Sequence, residues 1–138
     1  MTLRESLSQV DLFRALPDSA MDEVMTMGTT FTLQPGTTLV IEGSADAGFQ
    51  IVKRGSATVV VHGVERRPIT QGGYFGEMSL IDHQVRSATI VAGPDGVETF
   101  AVSALAFASL MDRYPQIARA LLPVLTARIR AIEAAQSS

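Results

Sequence analysis

Residues 72–90 read GGYFGEMSLIDHQVRSATI, and this stretch contains the most informative pattern of the chain. Three glycines surround two aromatic residues, and Glu77 directly follows the last glycine. Glycine lets backbone N–H groups approach a ligand closely, and a short helix beginning near Glu77 directs its free N–H groups toward an anion. Arg86 lies between apolar stretches, where a cation needs a partner. The stretch therefore predicts a cradle for a small anion, most simply a phosphate.

Short segments rich in β-branched and aromatic residues on both sides of this stretch predict β-strands. Their boundaries are 29–33, 38–41, 48–53, 57–61, 64–70, 87–92 and 97–102. Gly55 is predicted to end one strand, and residues 93–96 (GPDG) are predicted to form a tight turn that closes a hairpin. Many short strands at such close spacing are typical of an antiparallel barrel or jelly roll.

Helical patterns lie before and after the strands. Two short helices are expected before residue 29, and Ser19-x-x-Asp22 is a candidate capping box for the second. Ser103 is the expected N-cap of a helix that runs through Tyr114. The residues expected to face inward on that helix are Leu105, Phe107, Leu110 and Met111. The chain is thus expected to carry helices at both ends of a β-rich middle.

The composition restricts the class of protein. A chain of 138 residues fits one domain, and 46% hydrophobic with 18% charged residues is typical of a globular fold. The net charge of −3 argues against a dedicated nucleic-acid surface, and the absence of cysteine excludes disulfides and thiolate catalysis. The sequence contains neither a signal-peptide pattern nor an apolar run of bilayer length. A cytoplasmic location without membrane contact is therefore expected.

Residues for catalysis or metal binding do not cluster in the sequence. His62 and His83 stand apart on predicted loops, and a metal site needs more ligands close together. We find no nucleophile paired with a base. An enzyme on a similar β-barrel, such as a cupin, needs a histidine-rich metal set. The chain is therefore expected not to be an enzyme.

The pattern G-x-F-G-E-x-S-L, followed by R-S-A with its arginine nine residues after the glutamate, resembles the phosphate-binding cassette of cyclic nucleotide-binding domains. This resemblance covers nearly the whole chain. It implies a mainly β fold with flanking helices: an antiparallel β-roll, similar to a jelly roll or double-stranded β-helix, with N-terminal helices and a C-terminal helix pair. A single domain 1–138 then has N-terminal helices in 1–28, a β-roll in 29–102 that includes the cassette 72–90, and C-terminal helices in 103–135.

The resemblance also implies the ligand contacts. Arg86 would hold the cyclic phosphate, for which a guanidinium fork is suited, and Glu77 would accept a hydrogen bond from the ribose 2′-hydroxyl. Backbone groups, or a hydroxyl in the case of serine, would come from Gly76, Met78, Ser87 and Ala88. Val85 departs from the family, in which many members carry proline there. Without the resemblance, a structural ion pair of Arg86 with Glu77 or Asp82 is the simpler interpretation.

The function implied by the resemblance is a cyclic-nucleotide sensor and regulatory domain. The implied ligand is cAMP, with cGMP as the alternative, because threonine at position 87 would favour guanine; no other cofactor is implied. Two alternatives stay open. One is the sensor part of a catabolite-activator-type transcription regulator whose DNA-binding domain is absent from this chain. The other is an orphan β-roll domain that binds another small anion. The chain itself is expected to bind neither nucleic acid nor membrane.

The last helix is predicted to begin at Pro115 and to carry an apolar stripe from Ile117 to Ile132. Pro123 lies inside the stripe and is expected to kink the helix or to split it in two. The stripe needs a cover. The candidates are the barrel mouth, the base of the nucleotide, or the same helix of a second subunit in a homodimer. In the family this helix closes over the base or shifts when ligand enters, so the resemblance favours a movable lid.

Overall fold

The computed structural model describes residues 2–14, 16–44, 48–76 and 86–137. Its helices are α1 (Leu3–Ser8), α2 (Asp18–Met27), α3 (Ala104–Arg113) and α4 (Pro115–Ser137). Its strands are β1 (Thr29–Leu33), β2 (Thr38–Val40), β3 (Gly48–Val61), β4 (Val64–Glu65), β5 (Ile69–Thr70), β6 (Tyr74–Phe75) and β7 (Thr89–Ser103). Helices thus flank the strands at both ends, as the sequence predicts.

The two long strands, β3 and β7, organise the sheet. β1 and β2 pair antiparallel with β7, while β4, β5 and β6 pair antiparallel with β3. β3 and β7 pair with each other from Gly48 opposite Ser103 to Val60 opposite Thr89. Within the described residues, the seven strands form one antiparallel sheet that is not closed. This arrangement confirms the prediction of a mainly β fold with flanking helices.

Both long strands continue past glycines that the sequence assigns to turns. β3 runs through Gly55, which has a φ of +78°, so the predicted strand end there is wrong. Gly55 lies opposite Val97, whereas Ala57 lies opposite Ala92. Residues 93–96 therefore form a bulge within β7, and the predicted hairpin turn is also wrong. The segment predicted as one strand at 64–70 is divided between β4 and β5.

Alternate residues of the long strands face two separate cores. The helix-side core contains the strand residues Phe49, Ile51, Phe100 and Val102 together with buried residues of the helices. The roll core, on the other face of the sheet, consists of Val40, Val52, Ala57, Phe75, Ile90, Ala92 and Val97. Because side chains alternate along a strand, Gln50, Thr99 and Ala101 belong to the roll-core face.

Ser103 joins the sheet to the C-terminal helices. Its hydroxyl accepts a hydrogen bond from the Ala106 N–H at 3.2 Å, which confirms it as the N-cap of α3. The start of α2 differs from the prediction. This helix begins at Asp18, with Pro17 at the N-cap and no side-chain capping bond, so the capping box predicted at Ser19 is wrong. Pro17 has an extended backbone, with φ −66° and ψ 161°, and so lies just outside the helix.

α3 turns only part of its predicted face toward the helix-side core. Phe107 and Leu110 are fully buried. Leu105 is 84% exposed, so its predicted inward position is wrong. Residues two apart on an α-helix point about 200° away from each other, and therefore Leu105 and Phe107 cannot share one face.

α4 runs unbroken from Pro115 to Ser137 with Pro123 inside it, so this helix is not split. Ile117 and Leu121, in its first half, are buried in the helix-side core. Leu122 and Ile129 are 62% and 56% exposed. The apolar stripe is therefore covered at its beginning and open further along. No described helix combines the length and the hydropathy that crossing a membrane requires.

Candidate functional site

Arg86 is held in place by the turn that follows β2. Its backbone N–H donates to the Ser44 carbonyl and its own carbonyl accepts from the Gly43 N–H, both at 2.9 Å. The residue is only 7% exposed, and its Nη2 donates to the carbonyl oxygen of Gly48 at 2.9 Å. The guanidinium is thus fixed against the first residue of β3, with its orientation set by the backbone.

Gly76 lies directly beside this guanidinium, at the end of β6. Its φ is +98°, a left-handed conformation that side chains rarely adopt. A Cβ atom at this position would overlap the carbonyl oxygen of Gly48 and would lie 2.7 Å from Nη1 of Arg86. Glycine is therefore required here for two reasons, the backbone conformation and the close approach of the arginine.

A cavity of about 360 Å³ opens next to Arg86. It is lined by Met27, Thr29, Phe31, Leu39, Val40, Gly48, Phe49, Gln50, Arg86, Ala101, Val102 and Ser103. Its volume is that of a small-molecule site. A buried cation lies at one place in the wall, and most of the remaining side chains are apolar. The cavity therefore suits a ligand with an anionic part and a flat apolar part.

The sequence profile of the family described as "Cyclic nucleotide-binding domain" matches residues 30–114. The chain belongs to the cyclic nucleotide-binding domain family. This is a family of ligand-binding regulatory domains and not of catalytic ones.

Relatives of this cyclic nucleotide-binding domain include a protein kinase and the regulatory subunit of another protein kinase. It is 34% identical over 110 residues to a cGMP-dependent protein kinase of Toxoplasma gondii, a match that covers 80% of this chain and 11% of the kinase. It is 28% identical over 95 residues to the cAMP-dependent protein kinase type II regulatory subunit of Drosophila melanogaster, covering 69% of this chain and 25% of that subunit. This chain therefore spans a quarter or less of these two relatives.

A solved structure shows the same fold. The crystal structure of Thermus thermophilus Catabolite Activator Protein superposes on this chain with a TM-score of 0.82 at 26% identity. The superposition covers 92% of this chain and 62% of that one. The antiparallel sheet with its flanking helices is therefore the β-roll of cyclic nucleotide-binding domains, as the resemblance implies.

The structure describes four of the six residues predicted to contact the nucleotide. Arg86 and Gly76 lie together, as described above. Ser87 is exposed, and Ala88 is half-buried against the roll core. Glu77 and Met78 lie outside the described residues, as do Asp82 and the predicted helix near Glu77, so the contacts proposed for them and the alternative ion pair stay predictions. Sequence reasoning missed Gly48, because a backbone carbonyl that holds an arginine leaves no pattern in the sequence.

His62 lies on the exposed turn between β3 and β4, as predicted for a surface histidine. Its Nδ1 is 2.8 Å from Oε2 of Glu42, and its backbone N–H donates to Oε1 of the same carboxylate at 2.9 Å. His83 lies outside the described residues. In the part of the chain that the structure describes, no three His, Cys, Asp or Glu side chains are grouped to hold a metal ion.

A second and larger cavity, of about 480 Å³, lies beside the pairing of β1 with β7. Glu98, which lines it, forms an ion pair with Lys53 at 3.1 Å. This hydrogen bond and the positive charges of Lys53 and Arg54 lower the pKa of Glu98 below its ordinary value of 4.5. Two acidic residues, Asp95 and Glu98, line this cavity, and Glu98 is paired with Lys53. The cavity at Arg86 remains the candidate site because its cation is buried in the wall.

Proposed function

We propose that this cyclic nucleotide-binding domain is a sensor that binds cAMP, with cGMP as the alternative ligand, and that it couples binding to its C-terminal helices. The position of Arg86 carries the proposal. This buried cation borders a cavity whose other walls are largely apolar. A cyclic nucleotide offers the matching parts, a negatively charged phosphate and a flat base.

In the proposed complex, the guanidinium of Arg86 binds the cyclic phosphate and Glu77 accepts a hydrogen bond from the ribose 2′-hydroxyl. Gly76, Met78, Ser87 and Ala88 complete the contacts with backbone groups and the serine hydroxyl. The hydrogen bond from Nη2 of Arg86 to Gly48 supports this arrangement. It orients the planar fork in advance, and a pre-oriented fork loses less freedom when it binds two phosphate oxygens.

The choice between the two bases rests on Ser87. The relatives name both ligands, since one is a cGMP-dependent kinase and the other the regulatory subunit of a cAMP-dependent kinase. Position 87 is an exposed serine, whereas the resemblance assigns threonine at this position to guanine-nucleotide binders. We therefore propose cAMP as the preferred ligand.

Thermal unfolding with added nucleotide tests the proposal. A ligand that binds only the folded state stabilises it by about 2.7 kcal/mol at one hundred times its Kd, so saturating cAMP should raise the unfolding temperature by several degrees. The protein is first unfolded and refolded to remove co-purified nucleotide. 5′-AMP, which lacks the cyclic phosphate, is the control. An equal shift with 5′-AMP, or no shift with either cyclic nucleotide, would favour the orphan domain.

Two residues connect the cavity physically to the C-terminal helices. Phe49 borders the cavity along β3, and its ring, on the helix-side face of the sheet, packs on that of Phe107 in α3 with centroids 4.8 Å apart. Ser103 also lines the cavity and caps the same helix. A nucleotide that displaces either residue therefore acts directly on α3, which packs against α4. Such binding shifts the helices only as far as its affinity differs between their two positions.

Deletion of residues 123–138 tests whether α4 covers the bound base. The β-roll should stay folded, because Ile117 and Leu121, the buried anchors of α4, precede the deletion. Loss of a covering contact on the base costs about 1–3 kcal/mol, and cAMP binding should weaken about five- to 150-fold. Deletion of 134–138 is the control and should leave the affinity unchanged.

Equal affinity of the 123–138 deletion and the full chain would mean that α4 is no lid. Leu122 and Ile129 remain exposed on this helix, and we propose a second copy of α4 as their cover in a homodimer. Sedimentation of the full chain and the deletion variant, at the same concentration, reports whether this half of α4 joins two copies.

A further inference from the structure

The roll-core face of the sheet carries one polar pair beside the candidate site. Across strands β1, β7 and β3, one row of neighbours is Thr29, Ala101 and Gln50, and the next row is Phe31, Thr99 and Val52. Gln50 and Thr99 are thus diagonal neighbours on one face. The hydroxyl of Thr99 donates to Oε1 of Gln50 at 3.0 Å.

This pair is unusual for its surroundings. Thr99 is fully buried, and the roll core next to it is apolar, with Val52 opposite Thr99 on β3 and Val97 two residues before it on β7. A buried polar side chain costs stability unless it forms a hydrogen bond. An apolar pair would close this part of the sheet without that cost. The polar pair therefore needs a reason beyond packing.

The hydrogen bond also decides which side of the Gln50 amide faces the cavity. Oε1 is engaged by Thr99, which does not line the cavity, whereas Gln50 is half-buried and lines it. The amide is planar, so Nε2 points away from Thr99, and this nitrogen carries two N–H donors. The pair thus leaves the two N–H donors of Nε2 for a molecule in the cavity.

The position of this donor fits the base of a nucleotide. Gly48, whose carbonyl holds Nη2 of Arg86, lies two residues before Gln50 on β3, a rise of about 7 Å on the same face. The bond to Thr99 draws the Gln50 side chain toward the row of Val52, farther from Arg86. Phe31 and Leu39 line the same cavity and provide apolar walls for a ring.

We propose that Gln50, oriented by Thr99, donates a hydrogen bond from Nε2 to a ring nitrogen of the bound purine. This inference rests on the proposed function, since it assigns a contact within that same site. Thr99 is a positioning residue that acts through Gln50. The purine ring nitrogens N1, N3 and N7 accept hydrogen bonds in adenine, whereas its exocyclic amine donates, so the pair selects for an acceptor edge.

Analogues of cAMP that lack one ring nitrogen test this contact in the unaltered chain. The probes are 1-deaza-, 3-deaza- and 7-deaza-cAMP, in which a C–H replaces the respective nitrogen. One of the three should bind about five- to 150-fold more weakly than cAMP, because the buried amide donor is then left without an acceptor. Equal affinity for cAMP and all three analogues would overturn the proposal.

Gln50→Leu supplies the matching variant. It should weaken cAMP binding by a similar factor and should no longer distinguish cAMP from the one analogue that the natural chain rejects. Thr99→Val should reduce the same discrimination while weakening cAMP less, because the amide is retained and only its orientation is lost. The unfolding temperature of each ligand-free variant is measured alongside to show that it is folded.

The outcomes separate this contact from the proposed function. If the natural chain binds cAMP but Gln50→Leu weakens cAMP and all three analogues by one common factor, the pair is structural and the inference fails while the sensor function stands. If the natural chain binds no cyclic nucleotide, both fail. The contact is supported if the natural chain binds one analogue more weakly than cAMP and Gln50→Leu binds that analogue and cAMP equally well.

Discussion

Arg86→Ala should weaken cAMP binding some tens- to thousands-fold. Removal of one partner of a buried, hydrogen-bonded charge pair costs about 2–5 kcal/mol, and about 1.4 kcal/mol corresponds to a tenfold change in Kd. Arg86 is 7% exposed at the cavity and is oriented by Gly48, so the phosphate would lose a desolvated and pre-oriented partner. Titration calorimetry with the folded variant measures the effect.

Arg54→Ala is the matched control for this variant. Arg54 is an exposed arginine on the same strand as Gly48, and it lines the second cavity instead of the candidate site. Its removal subtracts the same formal charge and should leave the Kd for cAMP unchanged. If both variants weaken binding equally, the effect comes from net charge. If Arg86→Ala binds as the natural chain does, the proposed phosphate site is wrong.

Gly76→Ala should both destabilise the protein and weaken ligand binding. A left-handed φ costs a residue with a side chain about 1–3 kcal/mol, and the overlap with the Gly48 carbonyl adds about 1–3 kcal/mol of packing strain. The new Cβ would also lie 2.7 Å from Nη1 of Arg86 and would push the guanidinium out of position. We therefore expect at least a tenfold loss of cAMP affinity, measured with the free energy of unfolding in urea.

Gly36→Ala separates the cost of the backbone conformation from the effect of the close contacts at Gly76. Gly36 has a similar positive φ of +81°, but a Cβ there would meet no atom within 4 Å. This variant should show the backbone cost alone and should bind cAMP normally. If the two alanine variants are equally stable and bind cAMP equally well, the close approach of Gly76 to Arg86 contributes neither to stability nor to cAMP binding.

The general architecture follows from the sequence because it depends on periodic patterns. Segments rich in β-branched residues and the N-cap at Ser103 are both local patterns, and the structure confirms strands at those segments and the cap. The phosphate-binding pattern places Gly76 and Arg86 in one site, and the structure brings these two together.

The errors in the prediction arise where one sequence pattern fits two structures. Residues 93–96 have the composition of a tight turn, but the same residue types also form bulges, and only the pairing with β3 decides between them. Leu105 is apolar, and its exposure depends on which face of α3 meets the sheet. Local chemistry does not contain that information, since it is set by contacts distant in sequence.

Two residues of the candidate site, Gly48 and Gln50, were not predicted from the sequence for a related reason. Gly48 contributes a carbonyl, which every residue has, so no residue type identifies it. Gln50 was hidden within an alternating strand, where a half-buried glutamine is ordinary. Its partner Thr99 is 49 positions away in sequence, and only the pairing of β3 with β7 reveals that the two share a hydrogen bond.

Calorimetric titration of the refolded, nucleotide-free chain with cAMP and with cGMP tests the central claim most directly. The account predicts saturable binding at one site per chain, tighter for cAMP than for cGMP, and competition between the two nucleotides for that site. Arg86→Ala, titrated under the same conditions, should show the loss described above. A folded chain that binds neither nucleotide, or that binds cAMP with the same Kd after Arg86 is replaced, would contradict the account.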